Sequence, residues 1–227
     1  MTAERKGRET MTDQATAGAA DRAHSHLRAE IMQGRIAPGT MLSENDLAAT
    51  LAMSRTPVRS ALARLQDEGW VTIYPKRGAL VRELTETEVR ETADVRHALE
   101  SAGIQRGTND RRQFLAEQLA ANVNEQSEAL AGGDFAAFAV LAMRFHRTFV
   151  EMSGNSVMLS MYDRLQGRQY LSIVRSAKRI TGDPQRVLAE HRTLLDDARR
   201  GDWAAFATHL KDHQARSHGL ESGLPAG

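Results

Sequence analysis

Apolar residues recur at helical spacing three times in the first third of the chain. Ala23, Leu27 and Ile31 mark a short amphipathic helix from Arg22 to Met32, which Gly34 stops. After the turn Ile36-Ala37-Pro38-Gly39, Ser43 stands in a capping position with Asp46 three residues on. Leu47, Ala48 and Leu51 then form the stripe of a second helix, ending near Ala52-Met53. Ser54 caps a third, in which Pro57 is confined to the first turn, where its missing N–H costs little. Val58, Ala61, Leu62 and Leu65 share one face, and Gly69 ends the helix. The pattern then changes: Trp70-Val71-Thr72-Ile73-Tyr74 is rich in β-formers, Pro75-Lys76-Arg77-Gly78 is a turn, and Ala79-Leu80-Val81 returns as a second strand.

Beyond residue 84 the pattern is helical throughout. Breaks at Gly107-Thr108, Gly132-Gly133, Gly154-Asn155, Thr181-Gly182-Asp183-Pro184 and Gly201-Asp202 predict six or seven helices. Thr85-Glu86-Thr87-Glu88 reads as a capping box and sets the boundary near residues 82–86. The predicted fold is mainly α. A winged helix-turn-helix of three helices plus a β-hairpin covers 22–83, and an all-helical domain covers 84–218. Residues 1–21 are polar and rich in Ala, Gly and Thr, which predicts a disordered leader in a cytoplasmic protein, and 219–227 a flexible tail.

Composition narrows the chemistry. No run approaches the ~18 apolar residues of a membrane span. The absence of cysteine excludes disulfides, thiolate zinc fingers, iron–sulfur clusters and cysteine nucleophiles, so any metal must use His, Asp or Glu. The net charge is +1, but residues 22–83 hold nine Lys or Arg against six Asp or Glu, while the remainder is balanced. That excess is weak by itself, and its arrangement says more. The third helix carries Arg55, Arg59 and Arg64 with no acid between residues 54 and 66. Arg55 and Arg59 share a helix face, from which a guanidinium can bond guanine O6 and N7 or clasp a phosphate. Ser54 and Thr56 add hydroxyls and N–H groups at the helix N-terminus. The plainer reading is that these arginines only solubilise an Ala-rich helix.

Three runs carry a resemblance. They are Gly39-Thr40-Met41-Leu42-Ser43-Glu44-Asn45-Asp46-Leu47-Ala48, Met53-Ser54-Arg55-Thr56-Pro57-Val58-Arg59-Ser60-Ala61-Leu62, and Leu65 to Val71 with Lys76-Arg77-Gly78-Ala79-Leu80-Val81. Together they resemble the DNA-binding domain of GntR-family bacterial transcription regulators. The resemblance implies DNA contacts from Arg55 and Arg59, support from Asn45, and a wing contact around Arg77 and Gly78. Many relatives place Arg or another polar residue at position 45.

Downstream, Val95-Arg96-His97-Ala98-Leu99-Glu100, Phe145-His146-Arg147-Thr148-Phe149 through Gly154-Asn155, and Glu190-His191-Arg192-Thr193-Leu194-Leu195 resemble the FCD effector domain of the FadR subfamily. That domain is an all-helical antiparallel bundle whose cavity often holds a metal and a small organic acid, which is the arrangement implied for 84–218. The implied metal ligands are His146, His191 and His213, a set suited to Zn, Ni or Mn. Ala142 stands where many members place an Asp ligand, one turn before His146, and an Ala cannot ligate; a metal would be held more weakly. His209 lies one turn before His213 and off the pattern, and His24, His26, His97 and His218 read as surface or tail residues. Arg96 and Glu100 can form a surface ion pair; in the resembled family this Arg faces the cavity, which implies effector binding by Arg96 and Glu100. Asn155 is a turn or cap residue first and an effector contact second.

The expected function is a dimeric regulator on palindromic operator DNA, a repressor released by a small carboxylate effector. One alternative is a DNA-binding dimer whose helical half has lost metal and effector. Another is a metal-dependent hydrolase, against which stands the absence of an HExxH motif.

Overall fold

The computed structural model describes residues 18–220. Helix α1 runs over residues 18–32, so residues 18–21, expected in the leader, are helical; Ala20 is buried beside Ala23, Leu27 and Ile31 and extends their stripe by one turn. The rest of the expected leader and residues 221–227 of the expected tail lie outside the described residues.

Strand β1 (Met41–Leu42) precedes α2 (Glu44–Thr50) and α3 (Arg55–Asp67), followed by β2 (Val71–Tyr74) and β3 (Gly78–Val81). The sheet is antiparallel in the order β1-β3-β2. The sequence predicts only the hairpin: two residues are too short to show a period, and β1 exists because Met41 and Leu42 pair with Leu80 and Ala79. Gly78 has φ +110, and a Cβ there would fall on the Leu42 carbonyl oxygen, so β1 closes the sheet because residue 78 is glycine. Val58, Leu62 and Leu65 of α3 are buried with Leu27, Ile31, Trp70, Val71 and Val81 as the core of this unit. His24, expected at the surface, is buried too: its Nε2 meets Glu68 at 2.9 Å, and Glu68 also accepts the Trp70 indole N–H at 3.0 Å.

A second compact unit begins at Leu84. Its elements are α4 (Glu86–Arg106), α5 (Asn109–Ala131), α6 (Phe135–Glu151), α7 (Ser156–Asp163), α8 (Gln166–Arg175), α9 (Ala177–Gly182), α10 (Pro184–Arg200) and α11 (Trp203–His218). These are eight helices among the described residues where the sequence predicts six or seven, because the chain breaks at Arg164-Leu165 and at Ser176 without glycine or proline. The capping box forms as expected, with Thr85 and Glu88 satisfying each other's N–H groups. Helices α4, α6, α5, α10 and α11 pack successively and close back on α4, and α8 covers α4, α6 and α11. One end of this ring holds an apolar core of Phe145, Phe149, Phe206, Leu119, Leu194 and Leu210 with their neighbours. Gly103 of α4 lies so near α6 that a Cβ would fall on the Phe149 carbonyl oxygen. Gly219 and Leu220, expected in the flexible tail, close α11: Gly219 is a left-handed C-cap, and the Leu220 carbonyl accepts from Arg90 at 3.4 Å.

Candidate nucleic-acid interface and metal centre

In the first unit, five of the seven residues expected to contact DNA gather around one polar cleft. Asn45 comes from the start of α2, Arg55 and Arg59 from α3, and Arg77 and Gly78 from the hairpin, with Ser43, Glu44 and Lys76 completing the lining. Ser54 is the N-cap of α3, its side chain makes no capping bond, and Thr56 follows it, exposed. Glu44 reads in the sequence as an ordinary first-turn acid of α2. Its carboxylate meets Arg59 Nη2 at 3.0 Å and Arg55 Nη2 at 3.4 Å, and the Arg59 bond above all holds Glu44 below the usual carboxylate range.

In the second unit, Phe138, Ala142 and His146 recur every four residues on α6 and face a small cavity of about 20 Å³. Arg96 of α4, Val187 and His191 of α10, and His213, Ser217 and His218 of α11 line it as well. That volume holds about one water or one ion. One ring nitrogen from each of His146, His191 and His213 lies within 4.8 Å of the other two, and all three residues are buried.

The partners of these rings decide which nitrogen faces the cavity. Nδ1 of His146 meets Glu100 Oε2 at 2.8 Å, Nδ1 of His213 meets Glu190 Oε2 at 2.9 Å, and Nδ1 of His191 meets Gln126 Oε1 at 2.7 Å. The last contact is fixed by a relay. The Leu141 carbonyl can only accept, so Asn122 Nδ2 donates to it at 3.2 Å, and Asn122 Oδ1 accepts from Gln126 Nε2 at 2.7 Å. That leaves Gln126 Oε1 to accept from His191. Each Nδ1 therefore carries a hydrogen, which leaves Nε2 as the nitrogen each ring can offer to the cavity. Burial lowers the pKa of His146 and of His191 well below the usual imidazole value, with Arg96 and the other imidazoles adding to the effect. Neutral rings with converging lone pairs are what a borderline divalent metal requires, so the donor set fits Zn, Ni or Mn.

Arg96 and Glu100 are not the surface pair that helix spacing alone allows. Both are buried: Arg96 Nε donates to Glu100 Oε1 at 3.0 Å, and Tyr162 donates to the same oxygen at 2.8 Å. Glu100 does not line the cavity; it stands behind Arg96 and His146 and orients both. Arg96 Nη2 and Ser217 Oγ are buried without a hydrogen-bond partner, and both residues line the cavity. His218, expected at the surface, lines it too. Its Nδ1 contacts Ser176 Oγ at 2.9 Å, and burial, with Arg96 second, lowers its pKa to about 3.

Asn155, expected as an effector contact, and His209, off the family pattern, both lie elsewhere. Asn155 is the N-cap of α7, where Oδ1 accepts from the Val157 and Met158 N–H groups, and it is exposed and away from the cavity. His209 pairs with Asp197 at 2.6 Å and does not join the other histidines. No motif marks Gln126, Tyr162, Ser217 or His218. Only Glu190 carried a signal, as the residue preceding His191 in the matching run.

Comparison with known proteins follows the same division. Residues 19–81 match the family described as bacterial regulatory proteins, gntR family, and residues 91–216 match the FCD domain. The chain is 31% identical to a protein of Paenarthrobacter nicotinovorans described as "Probable D-xylose utilization operon transcriptional repressor", over 87% of this chain and 83% of that one. It is 31% identical to the gluconate operon transcriptional repressor of Bacillus licheniformis, over 74% and 71% of the two chains. A crystal structure of a GntR transcriptional regulator from Rhodococcus sp. RHA1 shares the fold with TM-score 0.74 at 22% identity, covering 90% of this chain and 99% of that one. No described helix is long and apolar enough to cross a membrane.

Proposed function

We infer the function from one premise: the chain belongs to the gntR family of bacterial regulatory proteins and carries an FCD domain, which makes it a DNA-binding transcription regulator and not an enzyme. We propose that it represses from a palindromic operator as a cytoplasmic homodimer, and that a small organic acid bound in the helical unit releases it. Arg55 and Arg59 read the major groove, with Ser54 and Thr56 at the helix start, Asn45 beside them, and Arg77 with Gly78 on the flanking backbone. Two-fold pairing doubles the few base contacts that one winged helix can make.

The observation that carries the sensing role is the buried Arg96 Nη2 with no partner, in the same cavity as three histidine lone pairs. An unsatisfied guanidinium N–H in a dry site costs free energy, and a carboxylate answers it with two charge-assisted bonds. His146, His191 and His213 would hold a divalent metal through Nε2. Such a metal supplies open positions for oxygen donors of an anionic ligand. Ser217 and His218 stand on the same wall and would contact the acid's remaining polar groups. The relative named for a gluconate operon fits an acid of this class. A cavity of about 20 Å³ does not admit an organic acid as it stands. The acid must displace packed side chains, and differential binding of that kind is how a ligand shifts a conformational equilibrium.

The test begins with a duplex selected by the protein from a randomised library. Fluorescence anisotropy then follows release from that duplex by a panel of small hydroxy acids and dicarboxylates, with and without added Zn²⁺ or Ni²⁺. Release by an acid from the parent but not from Arg96→Met supports the reading. No release by any acid, and no retained metal after purification, leaves a DNA-binding dimer without a sensor.

A further inference from the structure

Two arginines expected to face DNA are already bound to an acid of their own unit. Glu44 is the single carboxylate among the residues lining the cleft, against Arg55, Arg59, Lys76 and Arg77. It grips Arg59 along one edge: Arg59 Nε lies 3.4 and 3.3 Å from the two carboxylate oxygens, and Nη2 lies 3.0 Å from Oε2. Arg55 Nη2 reaches the same Oε2 at 3.4 Å. Glu44 sits at the start of α2 and both arginines on α3, so the contact spans the helix-turn-helix. Its side chain is 21% exposed, against 59% and 64% for the arginines, so the acid sits at the base of the cleft and the cations stand open to solvent.

Two consequences follow from the geometry. An arginine can meet guanine side-on through Nε and Nη2 or end-on through its two terminal nitrogens. With the Nε edge held by Glu44, Arg59 offers its end, and the guanidinium plane is set before DNA arrives. Second, a phosphate must compete with Glu44 for either arginine, while a correctly placed guanine adds bonds that Glu44 does not make. The carboxylate thus discounts sequence-independent binding more than specific binding, which is discrimination by a built-in rival.

We propose that Glu44 is a specificity-determining residue, which orients Arg59 end-on and competes with DNA phosphates for Arg55 and Arg59. The proposal rests on DNA reading by α3. It requires no direct contact between Glu44 and a base, and the depressed carboxyl pKa accords with a carboxylate that stays charged at neutral pH.

The experiment measures affinity of the full chain for two probes, the duplex selected from a randomised library and a scrambled duplex of equal length, from 50 to 300 mM KCl. Glu44→Gln keeps the shape and removes the charge. It should bind the scrambled duplex roughly two- to fivefold more tightly, the scale of a released exposed ion pair. Its logarithmic salt slope should steepen by about one, as a freed arginine takes a phosphate. The ratio of selected to scrambled affinity should fall, and Glu44→Asp should regain part of it. Thermal melting is read for each variant, because a purely structural staple would lower the melting temperature and weaken both probes equally. An unchanged affinity ratio and salt slope in Glu44→Gln overturns the proposal, as does equal weakening on both probes. A parent that prefers no selected duplex defeats the DNA-reading assignment itself, an outcome distinct from either.

Discussion

Ala142 stands one helical turn before His146 on α6, and both line the cavity that His191 and His213 enter from α10 and α11. The residue found where related domains place an aspartate therefore does face the imidazoles. Ala142→Asp should bring a carboxylate to a metal held by the three Nε2 atoms and tighten Zn²⁺ binding at least tenfold in calorimetric titration. Without metal the same change buries a charge beside apolar Phe138 and Val187, and the melting temperature should drop. A variant that loses stability equally with and without Zn²⁺ would show that no ion binds at this position.

Acid should destabilise the metal-free helical unit. His146, His191 and His218 all have folded pKa values below the ordinary imidazole value of about 6.5, by burial first and by Arg96 and neighbouring imidazoles next. The unfolded chain therefore takes up protons first, so the stability is fully present above pH 6.5 and is lost as pH falls below it. Each histidine contributes a slope of about 1.4 kcal/mol per pH unit in that window. Glu100 acts oppositely, since burial raises its pKa and a protonated carboxyl favours the folded state, but one carboxyl does not offset three imidazoles. The melting temperature of chelator-treated protein should fall from pH 7 to pH 5.5, and a flat or rising profile would mean that the imidazoles are charged when folded.

Much of this was legible in the sequence where a local rule decides the outcome. The capping box at Thr85, Pro57 in a first turn and the 71–81 hairpin each follow from residues within a few positions of one another. His146, His191 and His213 were legible through their motif positions. The unread parts depend on distant partners. Strand β1 exists because Gly78 admits the Leu42 carbonyl, and the breaks at Leu165 and Ser176 carry no glycine or proline. The motif position of Asn155 points partly to the cavity, yet its side chain satisfies the N–H groups at the start of α7. Glu44 looks like an ordinary first-turn acid until α3 folds against α2.

Arg59 and Arg77 should fail differently on DNA. Arg59→Ala should cost about 1–3 kcal/mol on the selected duplex and relax preference at one base pair. Arg77→Ala should weaken selected and scrambled duplexes alike and reduce the salt slope by about one, as for a lost phosphate contact. Binding curves on single-base variants of the selected duplex check both, and an Arg59→Ala protein with unaltered preference would remove Arg59 from base reading.

Gly103 of α4 lies against the backbone of α6, and Gly103→Ala would set a methyl on the Phe149 carbonyl oxygen. That neighbour is backbone inside the apolar core of Phe145, Phe149 and Ile104, so it cannot turn aside. The helices must separate, at a cost of about 1–3 kcal/mol for overpacking. Urea denaturation should show a lower midpoint with an unchanged slope, and an unaltered midpoint would mean that the two backbones are not in contact.

The relay behind His191 supplies the sharpest test of the metal centre, because it sets a tautomer without touching the cavity. Leu141 O, Asn122 and Gln126 act in series, and only one orientation of both amides satisfies every donor and acceptor. Gln126→Leu would leave His191 Nδ1–H without its acceptor, free the ring to reverse, and weaken Zn²⁺ binding by about 10- to 100-fold, the usual effect of losing such a partner. Gln126→Glu separates this from simple cavity damage. A carboxylate still accepts from His191, and more strongly, but it cannot donate to Asn122 Oδ1. Asn122 would have to turn its amide toward residue 126 and give up the Leu141 carbonyl. Metal affinity in Gln126→Glu should therefore stay near the parent value, while folding stability falls by about 0.5–1.5 kcal/mol for the lost Asn122 bond, the Leu141 carbonyl keeping its partner within α6. Zinc titration and thermal melting of both variants read the two effects separately. Parent-like zinc affinity in Gln126→Leu would mean that His191 needs no fixed tautomer and would take it out of the ligand set.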